Sequence, residues 1–90
     1  MSAASDSALS GAVTAALQIA HRAERRYGPF TSTHEALGVM AEEWDELRTA
    51  VHSNSLDVMA KEAEDVAAAA LRFAAACRAP SEAFARRSGR

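Results

Sequence analysis

Glu43 and Glu46 stand three residues apart, and so do Glu62 and Asp65, with 15 residues between the two pairs. Residues at that spacing share one face of a helix. A carboxylate can coordinate a hard divalent cation, and one left free of the cation can orient or deprotonate a water molecule. Helical glutamates are ordinarily a solvated face. These two pairs stand out because they match each other. With Asn54 as the middle of a hairpin, Glu46 and Glu62 lie eight residues to either side, and Glu43 and Asp65 eleven. In an antiparallel pair Glu46 then faces Glu62, and Glu43 faces Asp65. No lysine stands among the four, so the expectation is that they must be protonated, solvated or neutralised by a cation.

The elements that would position these acids are helical. Two prolines and four glycines interrupt the 90 residues, and nothing alternates with the period of a strand. Helix A is predicted over about Ser7–Tyr27, with apolar positions Leu9, Val13, Leu17 and Ala20, and is stopped by Gly28-Pro29. Helix B starts near Ser32, where Ser32 and Glu35 have capping-box spacing, and carries the stripe Leu37, Met40, Trp44, Leu47 and Val51. Helix C follows His52-Ser53-Asn54-Ser55 and carries Leu56, Met59, Ala63, Val66, Ala70, Phe73 and Cys77. Steps of three and four place each stripe on one face, which is expected to be the B–C seam, with the acids along its edge. A short helix D is expected from about Ser81 to Arg87. The fold class is therefore all-α: one domain over residues 1–90, an antiparallel helical hairpin or bundle of three main helices and a short C-terminal one. Residues 1–6 and 88–90 are expected to be disordered.

Composition adds a constraint. Twenty-three residues are alanine and five are aromatic, so the hydrophobic fraction of 49% overstates the bulk available for a core. Burial stabilises by roughly 25 cal/mol per Å², and a chain of this size buries only about 60–65% of its unfolded surface. Oligomerisation is expected to make up the deficit. The net charge of −2 provides no field for nucleic acid. The lone Cys77 excludes an intrachain disulfide and a cysteine-based zinc site. Residues 1–10 lack signal-peptide order and no apolar run reaches membrane length, so a cytoplasmic protein without a membrane partner is expected.

The pattern of Glu-x-x-Glu followed by Glu-x-x-Asp on consecutive antiparallel helices, over about His34–Cys77, resembles the MazG-like, all-α nucleoside triphosphate pyrophosphohydrolases. The segment Tyr27-Gly28-Pro29-Phe30 is also similar to short members of that family. The resemblance implies Mg²⁺-dependent cleavage of NTP or dNTP to a monophosphate and pyrophosphate, with Mn²⁺ as an alternative cation. It implies that Glu43, Glu46, Glu62 and Asp65 are metal ligands, that Glu43 and Glu46 are catalytic, and that the chain forms a homodimer or homotetramer in which a partner subunit completes both core and site, with sites near subunit interfaces. Two departures stand out. Glu64 replaces the glycine often found before the aspartate, and only Arg78, Arg86, Arg87 and Arg90 follow Cys77, where a lysine and an asparagine are common. A non-catalytic helical oligomerisation or interaction module is the alternative function.

His34, Lys61 and Trp44 are candidate substrate contacts. Lys61 adjoins Glu62 and could meet a phosphate or be a surface charge; Trp44 suits packing as well as base stacking. Tyr27 and Phe30 suit packing of helix A on helix B or a base pocket. Arg22, Arg25 and Arg26 could attract phosphate, although a helix C-terminus favours them anyway.

Overall fold

In a computed structural model describing residues 2–88, four serines start the four helices. Ser2, Ser32, Ser55 and Ser81 each accept, through the side-chain oxygen, a backbone N–H three residues on. These caps satisfy donors that a helix N-terminus otherwise leaves without partners. The helices are α1 (Ala3–Tyr27), α2 (Thr33–Ala50), α3 (Leu56–Arg78) and α4 (Glu82–Arg87), with a 3₁₀ turn at Val51–Ser53 closing α2. At Ser32 the box is extended: Glu35 Oε1 accepts from Thr31 N at 2.7 Å and from Thr31 Oγ1 at 3.0 Å. Gly28, at φ 78°, ends α1 and donates its N–H to the Glu24 carbonyl at 2.9 Å. Asn54 takes the left-handed conformation that turns the α2–α3 hairpin.

Helix α1 begins four residues before the expected Ser7, because Ser2 supplies a cap and alanine a helix-favouring first turn. Ala3–Asp6 are thus helical, not disordered. At the other end Ser88 Oγ accepts from Thr33 N at 3.2 Å, tying the end of α4 to the start of α2. The remaining expected disorder, at Met1, Gly89 and Arg90, lies outside the described residues.

Helix α3 is the middle of the molecule. Both α1 and α2 pack on it and barely touch each other. Helix α2 runs antiparallel to α3. Helix α1 runs parallel to it, with Leu9 and Ala12 beside Ala60 and Ala63, and Glu24 beside Arg72. The result is a three-helix layer closed at one end by a small core. Phe30, at 1% exposure the most deeply buried large side chain, packs there with Ala36, Ala76 and Phe84, and with Val39 and Phe73 beside them.

The expected seam is displaced. The residues buried at the helix contacts are mostly alanines: Ala16 and Ala20 of α1, Ala36 and Ala50 of α2, Ala68, Ala69 and Ala76 of α3. Of the stripe proposed for α2, Leu37, Trp44 and Val51 are exposed; of that proposed for α3, Leu56, Ala63, Ala70 and Cys77 are exposed. Leu9, Val13 and Leu17 of α1 are exposed too. Small residues let helices approach closely, so they take the contacts and the bulkier ones are left on an open face. Among the described residues no helix is long and apolar enough to cross a membrane.

Candidate metal centre

Displacement of the seam brings the acids into it. Glu43, Glu62 and Asp65 are half-buried between α2 and α3, and one carboxylate oxygen from each lies within 4.8 Å of the others. Glu46, one turn along α2 from Glu43, is exposed and stands outside that trio. It shares a hollow with Glu62 beside the 3₁₀ turn, whereas Glu43 and Asp65 line a second hollow. The pairs therefore form two rungs, Glu46 with Glu62 and Glu43 with Asp65, as the hairpin arithmetic requires.

Electrostatics bear most heavily on Glu43. Burial pushes its carboxyl above the ordinary 4.5, and the neighbouring negative charges of Glu46, Asp65 and Glu62 push it the same way. Glu62 Oε1 is buried and has no hydrogen-bond partner. A buried carboxylate oxygen without a donor is costly, and a coordinated cation would remove the cost. Three clustered carboxylate oxygens, one of them an orphan, fit a small hard cation such as Mg²⁺ or Mn²⁺.

The acids are not free of lysine, contrary to expectation. Lys61 Nζ lies 2.9 Å from Asp65 Oδ2, one helical turn away, and its ammonium pKa is raised by that hydrogen bond and by the charge of Asp65. A carboxylate at i+4 from a lysine is a pairing the sequence displays, but the numbering of the acids draws attention away from it.

Arg72 was not visible as a site residue. It is 8% exposed on α3, two turns beyond Asp65, and lines the same hollow of about 160 Å³ as Glu43 and Asp65, with Ile19, Ala23 and Val39. Its Nε donates to Glu24 Oε2 at 2.7 Å, one terminal nitrogen donates to the Gly28 carbonyl at 3.1 Å, and the guanidinium lies 4.1 Å from the Phe30 ring centroid. It thus fixes the end of α1 and the Gly-Pro turn against the floor of the acidic hollow. The available signal was the seven-residue interval from Asp65, which returns to nearly the same helix face.

The other candidates are spread more widely. His34 is exposed in the first turn of α2. Trp44 is exposed and follows Glu43 directly, which rotates it about 100° round the helix; it lines neither acidic hollow. Phe30 is core, and Tyr27 is exposed with Arg26 at 5.4 Å from its ring centroid. Arg22, Arg25 and Arg26 line a separate hollow with Tyr27. Glu64, which replaces the glycine, lines the groove between α1 and α3 and does not join the trio. Cys77 is exposed. Compared with protein-family models, curated proteins and solved structures, the chain matches none, so what the centre does rests on its own residues.

Proposed function

We propose that this chain is a Mg²⁺-dependent nucleoside triphosphate pyrophosphohydrolase, cleaving NTP or dNTP to a monophosphate and pyrophosphate, in keeping with its resemblance to the MazG-like family. The observation that carries the reading is the trio Glu43, Glu62 and Asp65, with carboxylate oxygens within 4.8 Å of one another, together with the orphan Glu62 Oε1. These residues would hold the cation. When bound, it screens phosphate charge and acidifies a water molecule. Glu46, exposed beside Glu43, is the carboxylate left to accept a proton from the attacking water. The new oxygen–phosphorus bond forms as the bond between the α and β phosphates breaks, and pyrophosphate leaves. Lys61, paired with Asp65 at 2.9 Å, would exchange that carboxylate for a phosphate oxygen once a cation neutralises the acids. The reading extends to a homo-oligomer in the cytoplasm.

A second reading is a non-catalytic helical oligomerisation module. Lys61 on Asp65 favours it, because the ion pair already neutralises part of the cluster. One experiment separates the two. The protein is incubated with a panel of nucleoside and deoxynucleoside triphosphates and Mg²⁺, and pyrophosphate release is measured. Cleavage that disappears in Glu46→Gln and in Asp65→Asn supports the enzyme. No cleavage and no Mg²⁺ binding supports the module, and activity surviving both substitutions removes the site.

A further inference from the structure

We propose that the hollow at the end of α1 lined by Arg22, Arg25 and Arg26 binds the polyphosphate chain of a nucleotide, beside the cation that the acid trio would hold. The hollow has a volume of about 500 Å³ and is completed by Ile19, Ala23 and Tyr27. All three arginines are exposed. Intervals of three and four put Arg22 beside Arg25 and Arg26 on one side of the helix, where like charges repel. Among the described residues no carboxylate pairs with them. The ion pairs use Arg48, Lys61, Arg72 and Arg86 instead, and Glu24, the acid nearest in sequence, is taken by Arg72 at 2.7 Å.

The helix dipole accounts for part of this charge and leaves part over. Arg25 and Arg26 stand in the last turn of α1, where cations are favoured. Arg22 stands a turn earlier, and the effect falls off within the last turn. Three guanidinium groups at one mouth suit a ligand with several negatively charged oxygens, because each planar fork can donate parallel hydrogen bonds to a phosphate. Tyr27 is 70% exposed, and the Arg26 guanidinium lies 5.4 Å from its ring centroid. An exposed aromatic ring beside phosphate donors suits a nucleotide, whose base stacks on it.

Position ties this hollow to the acids. Ile19 and Ala23 line the arginine hollow and also the acidic hollow that holds Glu43 and Asp65. Positive groups thus stand on one side of those two residues and negative groups on the other. A nucleoside triphosphate with its divalent cation carries the matching charges, phosphates for the arginines and metal for the carboxylates. The choice of a nucleotide rests on the enzymatic reading; the anion site rests on the arginines alone.

Calorimetric titration of the full chain with inorganic triphosphate in EDTA tests the site apart from metal and cleavage. Binding is expected, and it should weaken as salt is raised. Arg22→Gln and, separately, Arg25→Gln are expected to lower the affinity on the order of tenfold, while Glu46→Gln and Asp65→Asn bind no more weakly than the native chain. A nucleoside triphosphate is expected to bind more tightly than the inorganic chain, by a margin that Tyr27→Ala removes. If a variant fails to fold, the native chain and its salt dependence still decide the matter. Absence of binding, or binding that both arginine variants leave unchanged, overturns the site. Equal affinity for the two ligands overturns its assignment to a nucleotide. Pyrophosphate release from a chain that does not bind triphosphate would sink this proposal and leave the enzyme standing; binding that the arginine variants lose, in a chain that cleaves nothing, would do the reverse.

Discussion

Lys61 Nζ sits 2.9 Å from Asp65 Oδ2, so the chain itself supplies a cation to one of the three acids that would hold a metal. Lysine and metal compete for the same carboxylate. Lys61→Met is expected to strengthen Mn²⁺ binding about fivefold, since a partly exposed ion pair of this kind is worth up to about 1 kcal/mol. Electron paramagnetic resonance of free Mn²⁺ measures it. Unchanged affinity would mean that Lys61 does not compete with the metal at Asp65.

Glu43 gives a pH dependence with a definite sign. Its folded pKa is raised above 4.5, so the folded state holds the proton more tightly than the unfolded chain does. The stabilisation this brings is complete below the unfolded value and is lost as pH rises through the folded one. Relative to the native chain, Glu43→Gln should therefore gain stability at pH 7 and gain little at pH 4. Urea melts at the two pH values, without divalent cation, check the difference; an equal effect at both would rule out a penalty on the charged carboxyl from burial and its acidic neighbours.

Mg²⁺ should reverse the penalty that the clustered acids impose. A ligand that binds only the folded chain raises the melting temperature by mass action. Thermal melts are expected to rise with Mg²⁺ in the native chain and to stay flat in Glu62→Gln, because Glu62 carries the orphaned oxygen. A parallel rise in both would place the cation elsewhere.

Arg72 lies over the buried Phe30 ring at the closed end of the layer. Phe30→Ala is expected to cost about 3–5 kcal/mol, a large part of the ~5–13 kcal/mol available to a chain of this length. Arg72→Lys should be markedly destabilising as well, because an ammonium cannot reproduce the bonds to Glu24 and the Gly28 carbonyl together with the stacking on Phe30. Denaturant midpoints test both, and a neutral Arg72→Lys would show that the guanidinium geometry is immaterial.

The Ser32 cap is a local test of how the sequence sets helix starts. Ser32→Ala removes the acceptor of Glu35 N at 3.0 Å and is expected to cost about 1 kcal/mol. A shift in urea midpoint with an unchanged m-value would match a loss confined to that helix end.

Local chemistry in the sequence determined where the helices begin and end. Ser32, Ser55 and Ser81 cap, Gly28-Pro29 stops, and Asn54 turns, because each of these acts through its own backbone and a neighbour or two. The spacing of Glu43, Glu46, Glu62 and Asp65 likewise set which acids share a level across the hairpin. Only the tertiary structure decided which side of each helix turns inward. A stripe in steps of three and four says which residues lie together, but not what they face. In this chain the close helix contacts accept alanine, so Leu37, Trp44 and Val51 turn outward, and Glu43 and Asp65 turn in. Arg72 joins the site for the same reason: its partners Glu24 and Gly28 are 48 and 44 residues away, a distance along the chain that no local pattern spans.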